Sequence, residues 1–173
     1  VALVESPQTM TAVKVDIDSG KTESLTHGER FDYGLAISAH GEVVVNGSTP
    51  AMPNELQHVL GNGKTAVLTR HNAWLDGLAL APHQTIRFNS KDGTALEGIV
   101  VKPISYVEGK RYPTILRLHG GPVYQFSHEF MADWQAYANA GFMVLAVNPR
   151  GSSGRGFDFA KAIYADWGNK DVQ

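Results

Sequence analysis

The chain has no cysteine among its 173 residues. Disulfides, thiolate-ligated zinc and thiol catalysis are thereby excluded, while the compartment, cytoplasm or periplasm, stays open. No apolar run approaches the roughly 20 residues that span a bilayer, so no membrane-crossing helix is expected. Positive charge is not in excess: 15 Lys and Arg stand against 17 Asp and Glu, a net charge of −2, which argues against a nucleic-acid partner. The seven histidines show no paired metal spacing. His128-Glu129 would open a zinc helix, but Ala132 occupies the place of its second histidine. No Gly-x-Ser-x-Gly elbow occurs either, so a serine nucleophile on a strand-to-helix turn is missing from these residues. No metal and no cofactor is expected.

What is present has the composition of an ordinary globular protein, 43% hydrophobic and 18% charged, with length for one domain or a little more. From residue 1 to about 75 the period is two. Val13, Val15 and Ile17 alternate with Lys14, Asp16 and Asp18, the pattern of a half-buried antiparallel strand. Further strands are expected at Thr22–Thr26, Phe31–Ser38, Glu42–Ser48, Glu55–Leu60 and Thr65–Thr69, with turns at Asp18-Ser19-Gly20-Lys21, His40-Gly41 and Gly61-Asn62-Gly63-Lys64. A sandwich, a barrel or propeller blades all fit such spacing. Six or seven strands would make nearly two four-stranded blades, which cannot close a ring and would leave open edges.

Residues 76–84 read as a crossover linker, and over 85–173 the grammar changes. A hairpin, Thr85–Asn89 and Leu96–Lys102, turns around Lys91-Asp92-Gly93-Thr94. Thr114–Leu118 is an apolar strand interrupted only by Arg117. A helix is expected over Glu129–Ala140, with Phe130, Trp134 and Tyr137 on one face and Gly141 as its stop. Phe142–Val147 is a second apolar strand suited to a parallel sheet. A second helix is expected over Asp158–Trp167, carrying Phe159, Ile163 and Trp167 on one face. Strand, helix, strand, helix is α/β grammar.

The glycine pair Gly120-Gly121, between His119 and Pro122, follows the first of these strands. Without side chains, the two residues let the backbone approach a substrate, and their amides can point at a developing alkoxide. A tight turn leaving a strand is the plainer reading. Pro122 has no N–H to offer, so the donors are Gly120, Gly121 or a residue beyond the proline. His119 precedes any nucleophile in the chain, the wrong order for a base in this class of fold; a packed histidine shaping the loop is expected, with Pro122. The loop Asn148–Gly156 holds five glycine and serine residues that lack the order of a dinucleotide or elbow motif, and Arg150 or Arg155 is expected in salt bridges. Gly61–Thr65 resembles the tail of a P-loop, but His58 stands where the first glycine belongs. Asn46-Gly47-Ser48 fits the glycosylation pattern, and Asn-Gly is also a favoured hairpin turn.

Leu118-His119-Gly120-Gly121-Pro122, Ala140-Gly141-Phe142, the loop Asn148–Gly156 and Asp166-Trp167-Gly168 together resemble the prolyl oligopeptidase family of serine peptidases, in its acylaminoacyl-peptidase and dipeptidyl-aminopeptidase branch. The resemblance is specific over 85–173 and general over 1–75. It implies a β-rich N-terminal segment that is the end of a β-propeller, followed by the N-terminal part of an α/β-hydrolase domain. It further implies hydrolysis of short peptides near their N-termini through a Ser-Asp-His triad and an acyl-enzyme. In that branch the second glycine of the motif, here Gly121, is an oxyanion donor. Other branches use a tyrosine hydroxyl where His119 stands. All three triad residues, and the second donor, are expected beyond Gln173. Arg155 departs from the bulky residue common between the two glycines. The expected partners are a short peptide substrate and the remainder of a longer polypeptide, with the missing blades and the other catalytic half; both ends of the sequence read as cuts. An esterase or lipase, or a non-catalytic binding module, remains as an alternative.

Overall fold

The computed structural model describes residues 1–121 and 123–172. They fall into two compact units. One holds Val1–Leu78 together with Ser127–Phe130, and the other holds Ala79–Phe126 and Met131–Gln173.

The first unit is a sheet of seven short strands: β1 (Ala2–Ser6), β2 (Thr9–Val15), β3 (Thr22–Ser24), β4 (Phe31–Ile37), β5 (Val43–Thr49), β6 (Met52–Val59) and β7 (Thr65–Val67). Strands β4 to β7 form an antiparallel meander; β1 and β3 pair with β2, which meets β4 in parallel at Met10 and Phe31. Its apolar core is small. Ala12, Val43 and Val45 are buried, with Leu3, Leu25, Leu35 and Val59 packed on them. A polar network fills the rest. Arg30 is buried against Asp32 (Nε to Oδ1, 2.9 Å) and also donates to Gln57. Thr26 donates to the other Asp32 oxygen at 2.6 Å and accepts from the Ala12 amide.

Two expectations change here. Ile17 does not continue the alternation: the strand ends at Val15 and Ile17 is 92% exposed. The Asp16 amide instead donates to the Lys21 carbonyl across the turn, so the apolar residue falls on a bend. Asn46-Gly47 makes no hairpin turn but lies inside β5. Glycine is required there because a Cβ would sit 2.5 Å from the Arg30 guanidinium and 2.7 Å from the Asp32 carboxylate.

The second unit is a four-stranded sheet with helix on it. After β8 (His83–Asn89) and β9 (Ala95–Val101) come β10 (Thr114–Arg117), α1 (Ala132–Asn139), β11 (Met143–Asn148) and the single turn α2 (Phe157–Ala160). The strand order is β10-β11-β9-β8, with β10 and β11 parallel and the other neighbours antiparallel. Val144 and Ala146 of β11, with Ile99 and Val101 of β9, bury one face beneath Trp134 and Ala138 of α1. Arg117 interrupts its apolar strand because its guanidinium reaches Asp133 on that helix, at 3.1 Å.

Both expected helices are shorter than their apolar periodicity. The first begins at Ala132 rather than at 129. The amides of His128 and Phe130 are spent outside it, on the Gln8 carbonyl at 2.8 Å and the Ser48 hydroxyl at 2.9 Å. Phe130 therefore belongs to the first unit and not to the helix face. The second helix ends at Ala160, continues as a 3-10 turn to Ile163, and stops before Ala165, whose φ is +55°. Trp167 leaves the expected face and is exposed.

Candidate active site

Because β10 and β11 run parallel, the loops that follow them leave from the same end of the sheet, the end where open α/β sheets bind ligands. The first loop, from His119, carries the glycine pair. The second, Pro149–Gly156, runs to α2.

His119 joins the loops. Its Nδ1 lies 2.8 Å from the Gly120 carbonyl and its Nε2 lies 2.9 Å from Ser152 Oγ. The ring also meets Tyr124 and Phe126 edge-on, with centroids at 5.7 and 5.2 Å. A carbonyl only accepts, so Nδ1 bears the proton, and a neutral ring then accepts from Ser152. The Pro149 carbonyl, 2.6 Å from Ser152 Oγ, competes for that single hydroxyl proton. The pair superficially looks like a nucleophile and its base. Ser152 is fully buried, however, and among the described residues no carboxylate orients the ring, so the pair braces the loop and does not attack.

Further ties hold the loop. The Phe126 amide and carbonyl both bind the buried Asn148 side chain, at 2.7 and 2.9 Å. The Ser153 amide donates to the Tyr124 carbonyl. Sequence reasoning missed Ser152 and Asn148. Their only signal was polar residues at the end of an apolar strand, which any loop shares.

Among the described residues no acceptor takes the Gly120 or Gly121 amide. Both glycines are exposed. Gly121 has φ +154°, and a Cβ there would lie 2.9 Å from the Val123 nitrogen. Both line a cleft of about 220 Å³, with His119, Arg150, Trp167 and Asp171 among its other walls. Pro122 lies outside the described residues.

Arg150 builds the opposite wall. Its buried guanidinium pairs with Asp92 and donates to Thr94 Oγ1 and, through Nε and Nη2, to the Lys170 carbonyl. Bonds from Ser90, from the Thr94 amide and from Arg150 hold the Asp92 carboxyl well below the ordinary carboxylate range. The expectation of a salt bridge is thus met at Arg150. At Arg155 it is not: this side chain donates to the Ala95 carbonyl and stacks on Phe159 at 4.2 Å. Gly151 (φ +93°) carries the loop past Ile163, where a Cβ would meet Cδ1 at 2.3 Å.

The chain is similar to known proteins. Residues 128–173 match the model of the prolyl oligopeptidase family. The chain is 30% identical over 123 residues to the peptidase YuxL of Bacillus subtilis, covering 70% of this chain and 19% of that protein. It is 36% identical over 107 residues to dipeptidyl-peptidase 5 of Schizosaccharomyces pombe, covering 61% of this chain and 15% of that protein. In three dimensions 99% of the chain superposes on 27% of an acylaminoacyl peptidase solved with Z-Gly-Gly-Phe-chloromethyl ketone, at TM-score 0.86 and 26% identity. The chain thus spans about a fifth of the length of the curated relatives it matches.

Proposed function

We propose, on the premise that the chain belongs to the prolyl oligopeptidase family, that it contributes the oxyanion-binding half of a serine peptidase acting on short peptides near their N-termini. On this reading residues 1–75 are the last blades of a β-propeller, 76–84 a linker whose last two residues already open β8, and 85–173 the start of an α/β-hydrolase domain, apart from Ser127–Phe130, which pack with the first unit. The observation that carries the proposal is the pair of unspent glycine amides beside a cleft at the carboxyl end of a parallel strand.

A scissile carbonyl seated in the cleft acquires negative charge on oxygen as it is attacked. The Gly121 amide, with Gly120 as the alternative, donates to that oxygen, and the bond strengthens as charge develops. His119 and Ser152 keep the loop from following the substrate. Ile163 and Trp167 give an apolar wall for a flanking side chain. The attacking serine, its histidine and the acid come from residues outside these 173, and the acyl-enzyme forms there.

The chain by itself is therefore expected to hydrolyse no aminoacyl anilide, whereas a longer polypeptide with the elbow does. In that polypeptide, an amide-to-ester exchange that puts glycolate at position 121 removes the N–H of Gly121 and keeps its φ of +154° accessible, and it is expected to lower kcat by about 10²–10³ with little change in KM. Turnover by the chain alone, with termini verified by mass spectrometry, contradicts the assignment of the chemistry to other residues. An unchanged kcat in the ester form contradicts the role of Gly121.

A further inference from the structure

A second cavity lies at the same end of the sheet, where Asn148 of β11 stands opposite Glu97 of β9. Its volume is about 340 Å³, and Arg87, Phe88, Leu96, Glu97 and Arg155 are among its walls. Glu97 is only 8% exposed, and its Oε1 has no hydrogen-bond partner among the described residues. Arg87 is its direct cross-strand neighbour. Side chains so placed on one face of an antiparallel pair stand close enough to interact. Yet no ion pair joins them among the described residues, and Arg87 makes no other polar contact there. The Arg155 guanidinium uses Nη1 on the Ala95 carbonyl and keeps further N–H groups free for an acceptor.

The chemistry of the walls narrows the occupant. A metal ion would meet two guanidinium groups and one carboxyl, so cations are disfavoured. A phosphate would leave Glu97 without a donor and set like charges together inside a partly desolvated site. An apolar ligand would leave all three side chains unpaired. Only a molecule carrying both signs satisfies the set on this face, since Phe88 and Leu96, the next pair along the ladder, project to the other one. The geometry points to a binding site for a zwitterionic amino acid or dipeptide, its ammonium group on Glu97 and its carboxylate between Arg87 and Arg155. The size suits such a ligand. This site is separate from the glycine-lined cleft and stands whether or not the peptidase reading does.

The test is a titration of the 15N-labelled chain with L-phenylalanine, N-acetyl-L-phenylalanine and L-phenylalanine amide. Shift changes are expected at residues 87–89, 95–97 and 155 with the free amino acid. Affinity is expected to fall about tenfold or more for each analogue, since each lacks one charge-assisted contact. Glu97→Gln should abolish the preference for the free amine. Arg87→Gln, an exposed change that keeps the fold, should abolish the preference for the free carboxylate. The proposal is overturned if L-phenylalanine shifts none of these amides, if all three compounds bind alike, or if the two variants retain the wild-type preferences.

Discussion

At single residues, the physical demands come mostly from groups far away in sequence. Gly47 needs its missing side chain because Arg30, Asp32 and Gln57 crowd the position. Gly47→Ala must displace a buried ion pair or bend β5, and a loss of about 2–4 kcal/mol is expected in the urea midpoint of the first unit. Burial pushes the Glu129 carboxyl up to about 7, from an ordinary value of 4.5. A raised carboxyl costs the folded state nothing below 4.5, where it is protonated folded or unfolded, and stability is lost as pH climbs through 7. Glu129→Gln should therefore melt with wild type in acid and above it in mild alkali, by about 1 kcal/mol once partial exposure is allowed for. Its Ser127 contact, at 3.0 Å, survives in the glutamine. Ser152→Ala should cost about 1 kcal/mol, because Nε2 of the half-buried His119 ring loses its partner. The His119 and Gly120 amide signals should shift with it; silence there would remove Ser152 from the bracing of the loop. Sequence showed the glycine pair and the histidine, whereas the serine that holds them stands 33 residues away.

Among the elements, the strands were more legible than the helices. Alternation marks a strand through neighbours two residues apart, and β4, β8 and β9 fall close to where that pattern puts them. Helix ends depend on where backbone amides find acceptors, which composition does not record. The amides of 128 and 130 went to Gln8 and Ser48, and a helix expected from 129 lost its first turn. Asn148 acts at the same scale, since its one side chain satisfies both polar groups of Phe126. Asn148→Ala should speed hydrogen exchange of the Phe126 amide by an order of magnitude or more, through loss of a buried bond. Exchange as slow as in the parent would mean that the loop is held by other contacts.

For the whole molecule, the decisive quantity is how much apolar surface stays in water. Leu116 is 55% and Leu118 78% exposed beside β10, an edge strand, and Val67 and Leu68 are likewise exposed on and just after β7, the edge of the other sheet. Uncovered edges and small cores predict a marginal chain that associates as concentration rises. Thermal unfolding and sedimentation at two concentrations check this. A high, concentration-independent, cooperative transition would instead support a self-contained binding module.

What the sequence determined by itself was local: the change from period two to α/β grammar, the glycine pair after a strand, the missing elbow. These follow from backbone geometry within a few residues, so they survive without coordinates. Which groups meet was decided only in three dimensions. Ser152 reaches His119, Asn148 reaches Phe126, and Arg87 stands opposite Glu97 without pairing to it, because hydrogen bonds and burial act through space between residues that strand register and loop path bring together.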